Sequence, residues 1–365
     1  MTSAAAEMTP KADSAGSARI PVAVLGATGS VGQRFVQLLE RHPWFRLHEV
    51  VASERSAGRS YGEAAEWRLD TLLPETAADL TVKPLGAELE SRLLFSGLDS
   101  SVAGEAEETY ASRGCVVVSN SRNHRMDADV PLMIPEINGD HLAALERQKQ
   151  RRGSDGYIVT NPNCSTIGLA MALAPLEVRW GVDSVHVTTM QAISGAGYSG
   201  VASYAILDNV VPYISGEEEK VEIEPRKILG GWDGHRFVDA PFRISAQTNR
   251  VPTVDGHLMT VSLLLRSREF DLAAVRQAFE EFEGEPQRLR LPSAPLKPLH
   301  YIDAPDRPQP RLDRDREKGM SVTIGRLRPC PLLDMRFVAL VHNTIRGAAG
   351  AALLNAELLE AKGML

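Results

Sequence analysis

A cysteine stands where the sequence changes from an apolar run to a helix-like run. It is Cys164, which follows Asn-Pro-Asn in "IVTNPNCSTIGLAMALAPL". A thiol at a helix N-terminus lies near unpaired backbone amides and the positive end of the helix dipole, and both favour the thiolate. The same amides stabilise an oxyanion on a carbon that the sulfur attacks. The segment predicts a nucleophile; the alternative is a packed hydrophobic cysteine, which suits Cys115 and Cys330.

Three polar residues further along the chain are candidates for the same site. Gln191 lies near the end of a predicted strand in "TTMQAISGAG", and "NRVPTVDGHLMTV" contains Arg250 and His257. Seven residues apart on one regular strand, Arg250 and His257 would point to opposite faces. Val-Pro and Asp-Gly interrupt that regularity, so a common cleft stays open. A histidine beside a candidate thiolate is predicted to act as an acid–base group.

A glycine turn near the start of the chain predicts a dinucleotide site. "GATGSVG" follows a predicted strand and opens a predicted helix. Glycines allow the tight turn and let a pyrophosphate approach the amides at the helix start. The spacing is G-x-x-G-x-x-G, and a turn without a ligand is the alternative. The predicted cofactor residues of the turn are Gly26, Thr28, Gly29, Ser30, Val31 and Gly32.

The next predicted strand end indicates which dinucleotide binds. An NAD site usually has a carboxylate here for the ribose hydroxyls. In "VVASERSAGRS" the strand instead ends at Ser53, followed by Arg55 and Ser56. Hydroxyl groups and a guanidinium suit a 2′-phosphate, so NADP is predicted. The alternative is that Glu54 binds a ribose without that phosphate.

The order of predicted strands and helices indicates two units. Strands alternate with helices over residues 19–160, which predicts an N-terminal Rossmann-like, doubly wound parallel sheet of the α/β class. Longer alternating strands over 161–342 predict a C-terminal α+β catalytic and dimerisation domain. The segment 343–365 predicts a helix that packs back onto the first unit, and residues 1–18 are predicted to be a disordered lead-in.

Composition excludes several classes of protein. The chain has 365 residues, with 40 basic and 47 acidic side chains and a net charge of -7, which argues against a nucleic-acid-binding protein. The 3 cysteines provide no disulfide framework and predict a reducing, cytoplasmic compartment. No apolar run approaches the length of a membrane span, so no membrane partner is predicted. We predict no metal site.

Several motifs in this order resemble one family. The chain is similar to aspartate-β-semialdehyde dehydrogenase, closest to the branch found in archaea and fungi. The resemblance runs from about residue 20 onward and rests on "GATGSVGQRF", "VASERSAG", "NHRMDADVPLMIPEIN", "NPNCSTI", "QAISGAG", "EPRKIL", "RVPTVDGH", "RPQPRLDRD" and "HNTIRGAAG". It implies NADPH-dependent reductive dephosphorylation of 4-phospho-L-aspartate to L-aspartate 4-semialdehyde, in the biosynthesis of lysine, threonine, methionine and isoleucine. It also implies a homodimer or a homotetramer.

The resemblance also implies a role for each site residue. Cys164 resembles the acyl-forming nucleophile, His257 the acid–base histidine and Gln191 the residue that orients the acyl intermediate. Arg250 resembles the arginine for the α-carboxylate. Glu224 is assigned to the substrate ammonium, and Lys227 and Arg125 to the phosphate, with Arg122 as a possible substitute for Arg125. The remaining implied residues are Asn163 at the substrate and Ser194, Gly195 and Asn343 near the nicotinamide.

Three other functions stay open at this point. A malonyl-CoA reductase of the same fold would reduce a thioester and bind no phosphate, and its substrate has no ammonium group. N-acetyl-glutamyl-phosphate reductase is a further relative. A non-catalytic NADP sensor is the alternative from another class, and a lack of thiol reactivity would favour it.

Overall fold

The N-terminal unit is built on a six-stranded sheet. The computed structural model describes residues 19–365, so the predicted lead-in at 1–18 lies outside the described residues. All neighbouring strands of this sheet are parallel, in the order β3-β2-β1-β4-β5-β6. The strands are β1 (Ile20–Leu25), β2 (Phe45–Ala52), β3 (Val82–Pro84), β4 (Leu93–Ser96), β5 (Val116–Ser119) and β6 (Tyr157–Thr160). This order confirms the doubly wound sheet, in which ligands bind beyond the carboxyl ends of the strands.

Helices cover both faces of this sheet. The strand residues are apolar almost without interruption because both faces are buried. Phe35 and Phe95 pack together on one face, and Leu94 packs with Tyr110 on the other. The helices of the unit are α1 (Ser30–Leu39), α2 (Tyr61–Ala64), α3 (Glu75–Ala78), α4 (Ser100–Ser112), α5 (Pro135–Asn138) and α6 (Leu145–Arg152), with a 3₁₀ helix at Gly139–Ala144.

A second six-stranded sheet, of mixed direction, follows. Its order is β10-β7-β11-β14-β13-β12; β7–β10 and β12–β13 are parallel pairs, and the others are antiparallel. Its strands are β7 (Val182–Gln191), β10 (Arg243–Arg250), β11 (His257–Leu265), β12 (Leu299–Ile302), β13 (Val322–Pro329) and β14 (Met335–Val341). A small antiparallel pair, β8 (Gly231–Trp232) and β9 (Phe237–Val238), lies apart from it.

One face of the second sheet is buried and the other is open in the monomer. Along β11 every odd residue from His257 to Leu265 is buried, whereas Thr260 is exposed. Apolar residues of the buried face pack against helices, as alternation in a half-covered sheet predicts. The helices of this unit are α7 (Cys164–Trp180), α8 (Ser203–Ile206), α9 (Glu217–Ile228), α10 (Leu272–Glu280), α11 (Glu285–Arg288) and α12 (Pro310–Asp313), with 3₁₀ helices at Ile193–Ala196 and Arg316–Gly319.

The end of the described chain returns to the first unit. After β14 come a π-helix, Ile345–Ala349, and the helix α13 (Gly350–Ala361). Leu353, Leu354 and Leu358 join the same core cluster as Phe35. The first unit therefore takes part of its core from the far end of the sequence. Within residues 19–365, no helix is both long and apolar enough to cross a membrane.

Two segments differ from their sequence patterns. The pattern of "GYSGVASYAILDNV" predicts a helix, but the segment is helical only over Ser203–Ile206, because glycines at 197 and 200 take positive φ and break the turns before it. The alternation in "RVPTVDGHLMTVSLLL" predicts a strand, which the structure interrupts at the Val-Pro and Asp-Gly steps. β10 ends at Arg250, and β11 begins at His257 after a loop.

Candidate active site

Cys164 is the first residue of a buried helix that leaves the first sheet. β6 ends at Thr160, and Asn163 caps α7: its Oδ1 accepts from the backbone N–H groups of Ser165 and Thr166 at 2.9 and 3.2 Å. Asn is a favoured cap because its side chain satisfies amides that have no helical partner. The cap fixes the helix start, and Cys164 lies at the junction between the two sheets.

His257 faces the thiol from the second sheet. Its Nε2 lies 3.2 Å from Cys164 Sγ, and the side chain is fully buried. The backbone N–H of Ala192 donates to His257 Nδ1 at 3.0 Å. A backbone N–H only donates, so Nδ1 must accept and the neutral imidazole carries its proton on Nε2. The Ala192 amide thus sets the tautomer that His257 presents to sulfur.

The charge state of this pair differs from the sequence-based expectation. Burial and the Glu217 carboxylate raise the pKa of the Cys164 thiol to about 12, against an opposing effect of Arg125, Arg250 and Lys220. Burial, with the positive charge of Arg250, lowers the pKa of His257 to about 3. These shifts favour the neutral thiol and the neutral imidazole in the absence of substrate. Loss of solvation therefore opposes the preference for thiolate that the helix start predicts.

Gln191 and Arg250 close the site from two strand ends. Gln191, the last residue of β7, donates from Nε2 to Ser165 Oγ at 2.7 Å and to Glu217 Oε1 at 3.3 Å. Arg250, the last residue of β10, donates from Nη1 to the carbonyl of Ala192 at 2.7 Å. β10 and β11 are separate strands on either side of β7, which resolves the odd spacing. β10 runs parallel to β7 and ends at Arg250, whereas β11 runs antiparallel and begins at His257, so both residues lie at the same edge of the sheet. Both contact the Ala192 backbone, His257 at its N–H and Arg250 at its carbonyl.

The predicted residues Arg125, Glu224 and Asn163 form a buried chain. Arg125 Nη1 donates to Glu224 Oε1 at 2.9 Å, and the backbone N–H of Asn163 donates to Glu224 Oε2 at 2.7 Å. Both carboxylate oxygens of Glu224 are therefore already bound, and its charge is paired. This arrangement places Glu224 as a support for Arg125 and for the residue before the nucleophile, rather than as a partner for a substrate ammonium. Arg122 is exposed.

Lys227 also lies in a structural position. Its Nζ donates to the carbonyls of Arg125, Asp127 and Val130 at 2.7, 2.8 and 2.9 Å. These bonds use all three ammonium protons, and the side chain is 2% exposed. Burial lowers its pKa to about 8. The prediction that Lys227 binds phosphate therefore needs correction: it holds the loop that carries Arg125.

The opposite end of the same helix faces the thiol. Glu217, at the start of α9, accepts from Asn163 Nδ2 at 2.6 Å, and Lys220 Nζ donates to its Oε2 at 2.8 Å. Both groups act on the Cys164 thiol, as the pKa of that thiol shows. Sequence reasoning missed this pair. The signal was present: "EEEK" contains the same three-residue spacing as "EPRK", two turns nearer the helix start.

The glycine turn has the form that a pyrophosphate requires. Gly26 has φ of +73°, and a Cβ on Gly32 would lie 2.2 Å from the carbonyl oxygen of Gly26. The turn and helix can therefore contain only glycine at these points. Within residues 19–365, no side chain caps α1, whose N-cap is Gly29. Thr28, Ser30 and Val31 complete this anion-accepting helix start.

A cavity of about 430 Å³ continues from the turn. It brings together the predicted Ser53, Arg55 and Ser56 with Thr28, and adds Arg59 and Arg68. Three guanidinium groups and the hydroxyls of Ser53, Ser56 and Thr28 fit a phosphorylated ribose. The residue list of this cavity is Thr28, Gln33, Ser53, Arg55, Ser56, Arg59, Ala64, Glu66, Arg68 and Tyr198.

The predicted nicotinamide-side residues link the loops around His257. Asn343 Nδ2 donates to Ser194 Oγ at 2.8 Å, and Asn343 Oδ1 accepts from the backbone N–H of Gly256 at 2.8 Å. A Cβ on Gly195 would lie 2.8 Å from Arg250 Nη1 and 3.2 Å from His257 Nε2. Ser194 and Asn343 are therefore joined to each other and to the loop before His257, and Gly195 lies beside His257 and Arg250.

Known proteins match the chain over nearly its whole length. Two family models match: the semialdehyde dehydrogenase NAD-binding domain over residues 21–145 and the semialdehyde dehydrogenase dimerisation domain over residues 173–346. The aspartate-semialdehyde dehydrogenase of Methanothermobacter thermautotrophicus is 50% identical over 344 residues, which are 93% of this chain and 99% of that one. The Candida albicans enzyme is 48% identical over 358 residues, 94% and 98% of the two chains.

The chain belongs to the aspartate-semialdehyde dehydrogenase family. A solved structure of the Candida albicans enzyme with NADP has a TM-score of 0.89 and 45% identity, covering 95% of this chain and all (100%) of that one. The family and the fold predicted from the sequence are therefore confirmed. A Vibrio cholerae aspartate semialdehyde dehydrogenase II, 24% identical with a TM-score of 0.75, shares the fold, covering 94% and 99% of the two chains.

The residues of the cavity and of the thiol site come from both matched parts. The glycine turn and the cavity residues other than Tyr198 belong to the NAD-binding part, whereas Tyr198, His257, Arg250 and Gln191 belong to the dimerisation part. Cys164 lies on the segment that connects the two matched ranges. The site is therefore assembled across both parts.

Proposed function

We propose that this protein catalyses the NADPH-dependent reductive dephosphorylation of 4-phospho-L-aspartate to L-aspartate 4-semialdehyde, through a thioester on Cys164. The observation that carries the proposal is the contact of 3.2 Å between Cys164 Sγ and His257 Nε2 at the start of a buried helix. The supporting comparisons are relatives with this activity in their names. The pathway that this reaction serves is the biosynthesis of lysine, threonine, methionine and isoleucine.

The charged groups around the thiol match those of the substrate. Arg250 has guanidinium protons beyond the one bound to Ala192, and it suits the α-carboxylate by paired hydrogen bonds. Glu217 suits the ammonium group, in place of Glu224. Lys220, in place of Lys227, joins Arg125 at the phosphate. Asn163 and Glu224 keep these groups in position.

The acyl-transfer step follows from this arrangement. The sulfur of Cys164 bonds to the acyl carbon, and the bond from that carbon to the phosphate oxygen breaks. The thiol proton leaves with the phosphate, as hydrogen phosphate, toward Lys220 and Arg125. The amides of Ser165 and Thr166 are bound by the Asn163 cap, so the backbone N–H of Cys164 itself is the proposed donor to the thioester carbonyl oxygen, with Gln191 orienting the acyl group. Binding of the substrate ammonium neutralises Glu217, and this removes one cause of the raised pKa of the thiol.

The reductive step returns the thiol. NADPH, when bound, supplies the hydride. His257 holds a proton at Nε2 toward the developing oxyanion while the carbon–sulfur bond is still intact. When that bond breaks, the aldehyde leaves and the same Nε2–H hydrogen-bonds to the departing thiolate without transferring its proton. A proton from solvent then completes the thiol. Ser194, Gly195 and Asn343 shape the cleft beside His257.

The fit of the arginine-lined cavity supports NADP as the cofactor. Arg55, Ser53 and Ser56 are proposed to bind the 2′-phosphate, and the turn from Gly26 to Gly32 the pyrophosphate. We also propose units at 19–160 and 161–342, with 343–365 joining the first. The open sheet face around Thr260 supports a homodimer, and a homotetramer is the finer alternative. A cytoplasmic location is proposed because the 3 cysteines, all described, form no disulfide.

The test is NADP reduction by the purified protein with aspartate semialdehyde, first with phosphate and then with CoA in its place. Absorbance growth at the NADPH band only with phosphate is expected. Cys164→Ala should still bind NADP but show no turnover, and His257→Gln should lower turnover with a smaller effect on cofactor binding. Turnover with CoA alone would move the proposal to a thioester reductase, and turnover by Cys164→Ala would overturn the nucleophile.

A further inference from the structure

A loop of the second unit reaches the cofactor cavity of the first. It comprises residues 193–200 and follows directly on Gln191 and Ala192. At one end Gly195 lies against His257 and Arg250. Further along, a Cβ on Gly197 would lie 4.0 Å from Ser30 Oγ, at the start of α1. The loop therefore passes from the catalytic pair to the glycine turn.

The end of this loop stacks on an arginine of the cavity. The guanidinium carbon of Arg68 lies 4.3 Å from the centre of the Tyr198 ring, and both side chains line the cavity with Arg55. Arginine stacks well on aromatic rings because its planar cation is weakly hydrated. This contact joins two residues that are far apart in sequence and belong to different units.

Arg68 is linked to the glycine turn through Gln33. Gln33, on α1, is 3% exposed; its Nε2 donates to the carbonyls of Thr28 and Glu66 at 3.0 and 2.8 Å. The backbone N–H of Arg68 donates to Gln33 Oε1 at 2.8 Å. The backbone of Arg68 is therefore held by α1, whereas Tyr198 is 61% exposed and lies on a loop.

We propose that Tyr198 stacked on Arg68 is a latch that closes the loop 193–200 over the adenosine half of the cofactor cavity. When the loop is closed, binding of a ligand in the adenosine half affects the position of Ser194 and Gly195 beside His257. The ligand class is an adenosine carrying a 2′-phosphate, and the inference rests on the proposed NADP-dependent function. The stacked ring excludes water from one side of the cavity, and its movement transmits cofactor binding to the catalytic loop.

Binding of adenosine 2′,5′-bisphosphate tests the latch, because this probe occupies the adenosine half and lacks the nicotinamide. Calorimetry should show about two- to fivefold weaker binding in Tyr198→Ala and in Arg68→Ala. The double variant should lose little more than either single one. Tyr198→Phe should bind as the wild type does, since the ring makes the contact. Tyr204→Ala is the matched control, because Tyr204 lies just beyond the loop, in α8, and its side chain is 99% exposed.

The coupling to the catalytic loop has its own readout. Saturating bisphosphate should change the rate at which iodoacetamide alkylates Cys164 by at least about twofold in the wild type. In Tyr198→Ala, at a concentration that saturates the variant, the ratio of rates should return to one. Unchanged affinity in Tyr198→Ala, or an unchanged alkylation rate in the wild type, would overturn the latch. Phosphate-dependent NADP reduction would persist in that case, which separates this failure from failure of the proposed function.

Discussion

The shifted pKa values favour a neutral Cys164 thiol beside a neutral His257 imidazole, and the reactivity of the thiol should therefore depend on pH. The pKa of the thiol is raised to about 12 and that of the imidazole is lowered to about 3. A thiolate–imidazolium pair would stay reactive down to acidic pH, whereas a neutral pair supplies thiolate only as the pH rises toward the thiol pKa. The free enzyme should therefore show an alkylation rate that increases steadily from pH 7 upward.

Glu217→Gln should shift that alkylation profile. Loss of the carboxylate removes one cause that raises the pKa of Cys164, so the thiolate fraction at a given pH increases. The rate with iodoacetamide at pH 8 should rise severalfold, while the KM for the semialdehyde also rises because its ammonium loses a partner. The conservative control is Glu218→Gln on the next position of α9. A slower alkylation of Glu217→Gln would contradict this account.

At the residue scale, the sequence predicted which residues form the site better than it predicted their hydrogen-bond partners. Cys164, Gln191, Arg250 and His257 come together in the structure as their motifs suggested. Glu224 and Lys227 could not be distinguished from Glu217 and Lys220, because both pairs have helical spacing. Only the packing of α9 against the start of α7 shows which end faces the thiol. The tautomer set by Ala192 has no sequence signal, since a backbone amide supplies it.

At the scale of elements, helix α9 has a different task at each end. Lys220 in its first turn faces the Cys164 side, and Lys227 in its last turn is buried among three carbonyls. The helix therefore positions a substrate group while it holds the loop of Arg125. Two lysines on one helix give a matched pair of variants.

Lys220→Met should raise the KM for phosphate in the oxidative direction with little change in stability. Lys227→Met should lower the free energy of unfolding by about 2–4 kcal/mol, because buried carbonyls lose a charged donor. Urea denaturation and initial-rate kinetics on both variants test this division. If Lys227→Met unfolded like the wild type and only phosphate affinity fell, the original prediction for Lys227 would be restored.

The ends of helices and strands were predictable where a local sequence signal, such as a glycine or a proline, marks them. The helix from Ser100 to Ser112 ends before Gly114, which has φ of +89° as a helix-ending glycine should. The loop between Arg250 and His257 was indicated by Val-Pro and Asp-Gly. The helical pattern of segment 197–210 was misleading, because the glycines at 197 and 200 take positive φ and break the first turns.

At the scale of the whole molecule, one buried ion pair joins the returning segment to the first unit. Arg346, in the π-helix, donates from Nη1 and Nη2 to both oxygens of Glu136 at 2.7 and 2.6 Å, and both side chains have no exposed surface. Arg346 Nη2 also contacts Met171 of α7 at 3.4 Å. The pair therefore connects the catalytic helix, the first unit and the end of the second sheet.

Glu136→Gln should lower the free energy of unfolding by about 3–5 kcal/mol, because it leaves the Arg346 charge buried without its partner. Chemical denaturation followed by far-UV circular dichroism measures the change. The exposed pair Arg179–Glu281, at 2.9 Å, provides the comparison: Glu281→Gln should change stability by less than about 1 kcal/mol. Equal effects of the two variants would contradict the role of burial.

The open face of the second sheet belongs to the part matched as a dimerisation domain. Thr260 lies at its centre on β11, paired with Thr188 of β7 and exposed in the monomer. Thr260→Arg should convert the oligomer to a monomer, because a long charged side chain cannot be buried there without a partner. Light scattering with size-exclusion chromatography measures the mass. An unchanged mass would place the subunit interface elsewhere.

The return of α13 has a consequence for how the protein is made. Its leucines complete the apolar core that begins with β1 and α1, yet a ribosome delivers this helix only after the entire second sheet. Until then the nascent first unit lacks a layer over Phe35 and its neighbours, and apolar surface faces water. Native folding of the first unit must therefore wait for the rest of the chain, and that interval is when a chaperone has most surface to hold.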